Sequence, residues 1–140
     1  MGPSHSGVDV LRDAATRAPD SPALFESPRS GPSRAWTFAQ LDRAVDRVAR
    51  ELETRDVVQR TLVATRLSAA PEVVALCHAV WRLGARFLPL HHDWTEAEWS
   101  AALAAVGAPA LIATRAEEVA DWMGRGGDGG SSAAVRPPRP

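Results

Sequence analysis

The 140-residue sequence contains no lysine, no asparagine and no tyrosine, and Ile112 is its single isoleucine. All 16 basic residues are therefore arginine, and the wealth of alanine, glycine and proline fits translation of a GC-rich gene. Without lysine, no step that depends on a flexible ammonium group can be performed by these residues. One cysteine, Cys77, excludes a disulfide framework and a cysteine-rich zinc centre. The formal net charge of −1 provides no strong field for nucleic acid or a membrane surface, so neither is expected as a partner. No apolar run approaches the roughly 20 residues of a membrane span. The opening MGPSHSG has no basic segment leading into an apolar one, so no signal peptide and a cytoplasmic location are expected.

What is present suits one globular domain. The apolar fraction is 45%, and a chain of this length buries roughly 68% of its unfolded surface. Residues 1–7 are small and polar and are expected to be disordered. Val8, Leu11, Ala15 and Ala18 have helical spacing, and Pro19 stops that helix. Two short extended runs, Ala23 to Glu26 and Arg34 to Trp36, flank the turn cluster SPRSGPS and should pair as a hairpin.

The next helix carries the clearest local signals. Thr37 and Gln40 form a capping box, and Trp36 with Leu41 forms a hydrophobic staple across it. Leu41, Val45, Val48 and Leu52 mark its apolar stripe. Asp42, Arg43, Asp46, Arg47, Arg50 and Glu51 lie around the other side, with Asp46 and Arg50 spaced as an i,i+4 pair.

Strands are expected at Thr61 to Leu67, Arg86 to Leu90 and Ala110 to Thr114. Between the first two lies a helix from Glu72 to Leu83 that is apolar nearly all round and should be buried on most sides, with Gly84 ending it. Pro89 makes the second strand an edge or terminates it. A second capping box, Thr95 with Glu98, opens a helix to about Val106, with Trp94 and Trp99 placed as its staple. A short helix is expected at Ala116 to Met123. The alternation implies crossover units and a partial parallel sheet. Residues 8–123 then form one α/β unit. Residues 124–140, rich in glycine, serine and proline, read as a disordered linker.

Two stretches, Trp36-Thr37-Phe38-Ala39-Gln40-Leu41 and Trp81-Arg82-Leu83-Gly84-Ala85-Arg86-Phe87-Leu88-Pro89-Leu90, resemble the first two core motifs of the AMP-binding adenylate-forming superfamily. That superfamily comprises acyl-CoA synthetases, peptide-synthetase adenylation domains and luciferases. The order and spacing of the stretches match as well, as does the opening phrase from Ala14 to Phe25, and the likeness covers about residues 8–114. The departures are Gln40 for the commoner glutamate, the turn His91-His92-Asp93-Trp94, and Asp56 to Thr61 in place of a Gly-x-x-x-Gly-Asp turn.

The resemblance implies the N-terminal subdomain of the adenylate-forming fold and, for a full-length enzyme, ATP, Mg²⁺ and CoA as cofactors with a carboxylic acid as substrate. The remainder of the ligase polypeptide is then the partner. The compact opening from Val8 to Phe25 and Leu90-His91 after the second motif are similar to the acyl-CoA ligase branch, the o-succinylbenzoate–CoA ligases among its members. Both motifs specify fold. The family's phosphate loop, metal-orienting acids and lysines lie downstream of them, so no catalytic, cofactor-binding or metal-binding residue is assigned in this chain.

The tempting groups have plainer readings. Cys77 and His78 are helical neighbours that do not face each other, so Cys77 is read as a buried structural thiol. His91, His92 and Asp93 in extended chain would point to alternate faces and are read as a solvated turn rather than a metal site. The glycine-rich tail has no following helix and no Lys-Ser/Thr pair. The arginines are read as solvated surface, and Trp36, Trp94 and Trp99 as staples and packing. A non-catalytic α/β interaction module is the alternative function.

Overall fold

The computed structural model describes residues 9–27 and 33–124. Three expectations fall wholly or mostly elsewhere: the disordered start over 1–7, the turn cluster between the hairpin strands, and the linker over 124–140. They lie outside the described residues, apart from Ser27 and Ser33 at the two ends of the turn cluster and the helix-closing Gly124.

The chain begins with α1 (Val10–Arg17), whose N-cap Asp9 accepts a hydrogen bond from the Arg12 amide. The expected hairpin follows as β1 (Pro22–Glu26) and β2 (Arg34–Thr37), paired antiparallel. Arg34 clamps it by donating from Nε to Glu26 Oε1 at 2.6 Å while lying 5.0 Å over the Trp36 ring.

Thr37 ends β2 and also caps α2 (Phe38–Glu53). Both halves of the capping box form: Thr37 Oγ1 accepts from the Gln40 amide at 3.1 Å, and Gln40 Oε1 accepts from the Thr37 amide at 2.9 Å. The staple residues Trp36 and Leu41 are both buried. The α2 stripe is buried as its spacing demands, widened by Ala44 and Ala49. Asp46, however, turns to Arg12 and Arg82 rather than to Arg50.

Three parallel strands, β3 (Leu62–Thr65), β4 (Arg86–Pro89) and β5 (Leu111–Ala113), form a sheet in the order β4-β3-β5. Pro89 closes an edge strand, where a missing amide is tolerated. The crossovers run through α3 (Pro71–Arg82) and α4 (Glu96–Val106). They step across the sheet in opposite directions, so connections of one hand place α3 and α4 on opposite faces. Burial agrees with this. Val63 and Ala113 join the core shared by α2, α3 and α5 (Ala116–Trp122), whereas Leu62, Ala64, Leu90 and Trp99 are buried outside that cluster. Arg66, in phase with Leu62 and Ala64, lies 4.0 Å over the Trp99 ring of α4.

Two expectations hold only in part. Helix α3 is enclosed along most of its surface, with Pro71, Glu72, Ala75, Leu76, Ala79 and Val80 buried, but Trp81 stands out at 60% exposed. The second capping box forms as expected, yet its staple is one-sided, with Trp99 buried and Trp94 37% exposed.

Candidate functional site

Among the described residues, two places with gathered polar side chains are candidates for a site. The first joins three helices around Arg82, the last residue of α3, whose side chain is only 11% exposed. Its Nε donates to Asp9 Oδ2 at 2.6 Å, its Nη1 to Asp46 Oδ1 at 3.1 Å and to the Asp42 carbonyl at 3.2 Å, and its Nη2 to Asp42 Oδ1. Arg12 from α1 reaches the same acids, at 2.6 Å to Asp46 and 3.3 Å to Asp42. Two guanidinium groups thus serve three carboxylates. Burial by itself would raise the Asp9 carboxyl, but the hydrogen bond from Arg82, the Arg12 amide and the two positive charges together hold it below its ordinary value. For Arg12, burial works against the charge, yet Asp46 and Asp42 raise the guanidinium above its ordinary value.

Beside this cluster a half-open groove of about 870 Å³ runs between α1, α2 and α3, with Val10 and Trp81 among its lining. His78 meets Trp81 edge-on at 5.5 Å. Burial lowers the His78 imidazole below its ordinary value, the Arg82 charge adds to this, and Asp9 opposes it. Cys77 is half-buried, with its thiol pushed up by burial. A raised thiol is a poor nucleophile, so its reading as structural fits, although the enclosure is partial.

The second place is the rim at the carboxyl ends of the parallel strands, where open α/β sheets collect their ligands. Arg66, just past β3, donates to Glu96 Oε2 at 2.7 Å and to the Trp94 carbonyl at 3.0 Å. Thr65 donates from its hydroxyl to the Ala113 carbonyl and accepts from the Leu67 amide, each at 3.1 Å. His91, His92 and Asp93 follow β4 on this rim. The expected exposed turn is present, and because the chain turns here the face alternation of extended chain does not apply. The imidazoles stack at 4.9 Å, and His92 Nε2 lies 3.3 Å from Asp93 Oδ1.

The opening of α3 on this rim lacks the features with which a helix end usually holds a phosphate. Helix α3 opens at Ala70-Pro71 without a side-chain cap, and Pro71 lacks the amide a phosphate would use. Glu72, 7% exposed, already occupies the first turn of that helix. No lysine exists to assist.

The sequence profile of the AMP-binding enzymes matches residues 11–135. The chain belongs to this AMP-binding, adenylate-forming family. Among relatives, it is 30% identical over 106 residues to the phosphinothricin tripeptide synthetase PhsC of Streptomyces viridochromogenes, covering 76% of this chain and 9% of that one. Among solved structures, the Klebsiella oxytoca NpsA N-terminal subdomain in complex with anthranilyl-AMSN superposes with a TM-score of 0.70 at 20% identity, covering 81% of this chain and 31% of that one. A fatty acyl CoA synthetase of Mycobacterium tuberculosis gives the same TM-score of 0.70 at 20% identity, covering 81% and 27%. The chain thus spans less than a third of each of these proteins. The likeness to the two structures is one of fold. Among the described residues, no helix is long and apolar enough to cross a membrane.

Sequence reasoning missed the two arginine-centred clusters. Arg82 joins residues 73 and 40 positions away, and Arg66 reaches 30 positions to Glu96. The one local hint was the position of Arg82 at the end of an apolar helix, where a charge must find partners or solvent.

Proposed function

We propose that this chain is the N-terminal scaffold segment of a longer ATP-dependent enzyme that converts a carboxylic acid to an acyl-adenylate and passes it to a thiol. The match over residues 11–135 carries this reading. The segment's own part is structural: capped helices and a parallel sheet that fix strand ends for residues supplied from elsewhere. ATP, Mg²⁺ and CoA belong to the complete enzyme, because no strand-to-helix turn among the described residues offers a phosphate cradle. The remainder of the ligase polypeptide is the partner.

Two branches of the family have separate support. The compact opening through Phe25 and Leu90-His91 favour an acyl-CoA ligase. The likeness to PhsC favours a peptide-synthetase adenylation domain, whose acceptor would be a carrier-bound thiol.

The test is exchange of radiolabelled pyrophosphate into ATP with a panel of carboxylic acids. The 140-residue chain alone should show none, and the product of the uninterrupted reading frame should show it with at least one acid. Mass spectrometry of the product formed with CoA or with a carrier protein then separates the branches. A reading frame that stops at codon 140, or a longer product that exchanges with none of the acids, would support the non-catalytic interaction module instead.

A further inference from the structure

We propose that His91, His92 and Asp93 form a surface site for one borderline divalent cation of the zinc class, independently of the ligase reading. Each residue offers one ligand atom, and the three atoms lie within 4.8 Å of one another. A tetrahedral zinc ion with bonds near 2.0–2.1 Å holds its ligand atoms about 3.3 Å apart. His92 Nε2 and Asp93 Oδ1 already stand at 3.3 Å. The third ligand atom, on His91, lies within 4.8 Å of both, and all three residues are exposed, so a modest movement of the His91 ring would close the set.

The backbone beneath them is braced. The Trp94 amide donates to the His91 carbonyl at 3.1 Å, the Trp94 carbonyl accepts from Arg66 at 3.0 Å, and Thr95 caps α4 directly afterwards. Chelation therefore orders side chains rather than a loop. The Asp93 amide donates to His91 Nδ1 at 3.1 Å, and coordination through that nitrogen would replace this bond. The nearby cation, Arg66, is paired with Glu96, which limits its repulsion of a metal.

The ligand set chooses the ion. Two imidazoles and one carboxylate suit zinc, nickel or copper, whereas magnesium and calcium demand oxygen shells. Three protein ligands leave a fourth position to water.

Isothermal titration of the full chain with zinc chloride, in a non-chelating buffer at about pH 7.5 where imidazole is available as a ligand, tests this. We expect saturable one-to-one binding. It should weaken by about tenfold or more in His92→Ala, and likewise in His91→Ala and Asp93→Ala, since even outer-shell losses cost 10–100-fold. His5→Ala and His78→Ala, which change the two other histidines, should leave it intact. Circular dichroism confirms that each variant keeps its helices. No saturable binding below about 1 mM zinc, binding that survives His92→Ala, or binding lost in His5→Ala overturns the proposal.

Discussion

Arg82 donates to Asp9 at 2.6 Å, tying the end of α3 to the N-cap of α1 across 73 positions of sequence. The same guanidinium serves Asp42 and Asp46 of α2, so one side chain locks three helices. Its flat fork of donors reaches several acceptors at once, which a single ammonium cannot. Removing it leaves three carboxylates facing one another with only Arg12 between them. Breaking a buried pair costs about 3–5 kcal/mol. Asp46 is 40% exposed and screened by water, so Arg82→Met should lose about 2–3 kcal/mol. Arg82→Lys should recover part of this. Urea denaturation monitored by circular dichroism gives both values, and an Arg82→Met variant as stable as the parent would sink the interpretation.

The turn from α2 to β3 is under local strain. Asp56 and Arg60 have φ of 64° and 72°, the left-handed region that favours glycine. The resemblance implies that the Gly-x-x-x-Gly-Asp turn, often seen in the family over this stretch, would have its glycines at these two positions. The Arg60 amide donates to the Gly84 carbonyl at 2.9 Å, and its carbonyl accepts from Arg86 at 3.2 Å. Both bonds use backbone atoms of Arg60 and survive its replacement by glycine. Relief of the left-handed penalty, about 1–2 kcal/mol, exceeds the added chain entropy of about 0.4–1 kcal/mol. Arg60→Gly should therefore stabilise by about 0.5–1 kcal/mol. Asp56→Gly should gain less, because aspartate tolerates this region better. Gly84→Ala should do the reverse, since Gly84 has φ of 70° and its added methyl would lie 3.1 Å from Gln59 Cγ. Thermal melts of the three variants rank these effects, and a destabilised Arg60→Gly would contradict the account.

Elements set by near neighbours were legible in the sequence. Thr37 with Gln40 and Thr95 with Glu98 announce their helices within four residues, and both boxes form. The Val63-centred strand and the glycine after α3 are likewise local signals. What escaped depends on tertiary placement. The exposure of Trp81 follows from which helices lie beside α3. The partners of Arg82 follow from how α1 and α2 cross it. The gathering of His91, His92 and Asp93 escapes for a different reason: the alternation rule holds for extended chain, whereas the chain turns after Pro89.

The capping boxes make a further quantitative expectation. Thr37→Ala removes the acceptor for the Gln40 amide, and Thr95→Ala that for the Glu98 amide. Each cap is worth about 1 kcal/mol. Helix α2 is built into the core, whereas α4 is exposed along most of its length. Thr37→Ala should therefore lower global stability, while Thr95→Ala should chiefly fray α4. Amide hydrogen exchange distinguishes them, and equal loss of protection throughout the chain in both variants would argue against this difference.

His78 gives the chain a pH dependence near neutrality. Burial, then the Arg82 charge, lowers its imidazole in the folded state. The unfolded chain therefore binds a proton first as pH falls, and stability rises with pH across this window. The contribution is fully present above the ordinary histidine value of about 6.5 and is lost as pH falls toward the lowered folded value. Urea midpoints should drop between about pH 7.5 and pH 5.5, and His78→Gln should flatten that slope. Asp9, lowered by Arg82 despite its burial, acts with the same sign but in the acidic carboxylate range. An equally steep slope in His78→Gln would place the dependence elsewhere.

Helix α4 has the composition of a buried helix but the exposure of a surface one. Ala97, Ala101, Ala104, Ala105 and Val106 face solvent, and Trp99 is its one buried residue. A helix apolar on all sides ordinarily lies inside a larger body. Val106 and Ile112 are each 38% exposed, and contiguous apolar surface beyond a few hundred Å² promotes association. The isolated chain should therefore form oligomers at high concentration by light scattering. Ala104→Lys with Val106→Lys should shift it toward monomer. Both positions are exposed, and positive charge near the carboxyl end of a helix suits its dipole, so stability should hold. If the parent chain is a clean monomer at high concentration, this face does not drive association, and the composition of α4 reflects the alanine-rich coding of the whole sequence.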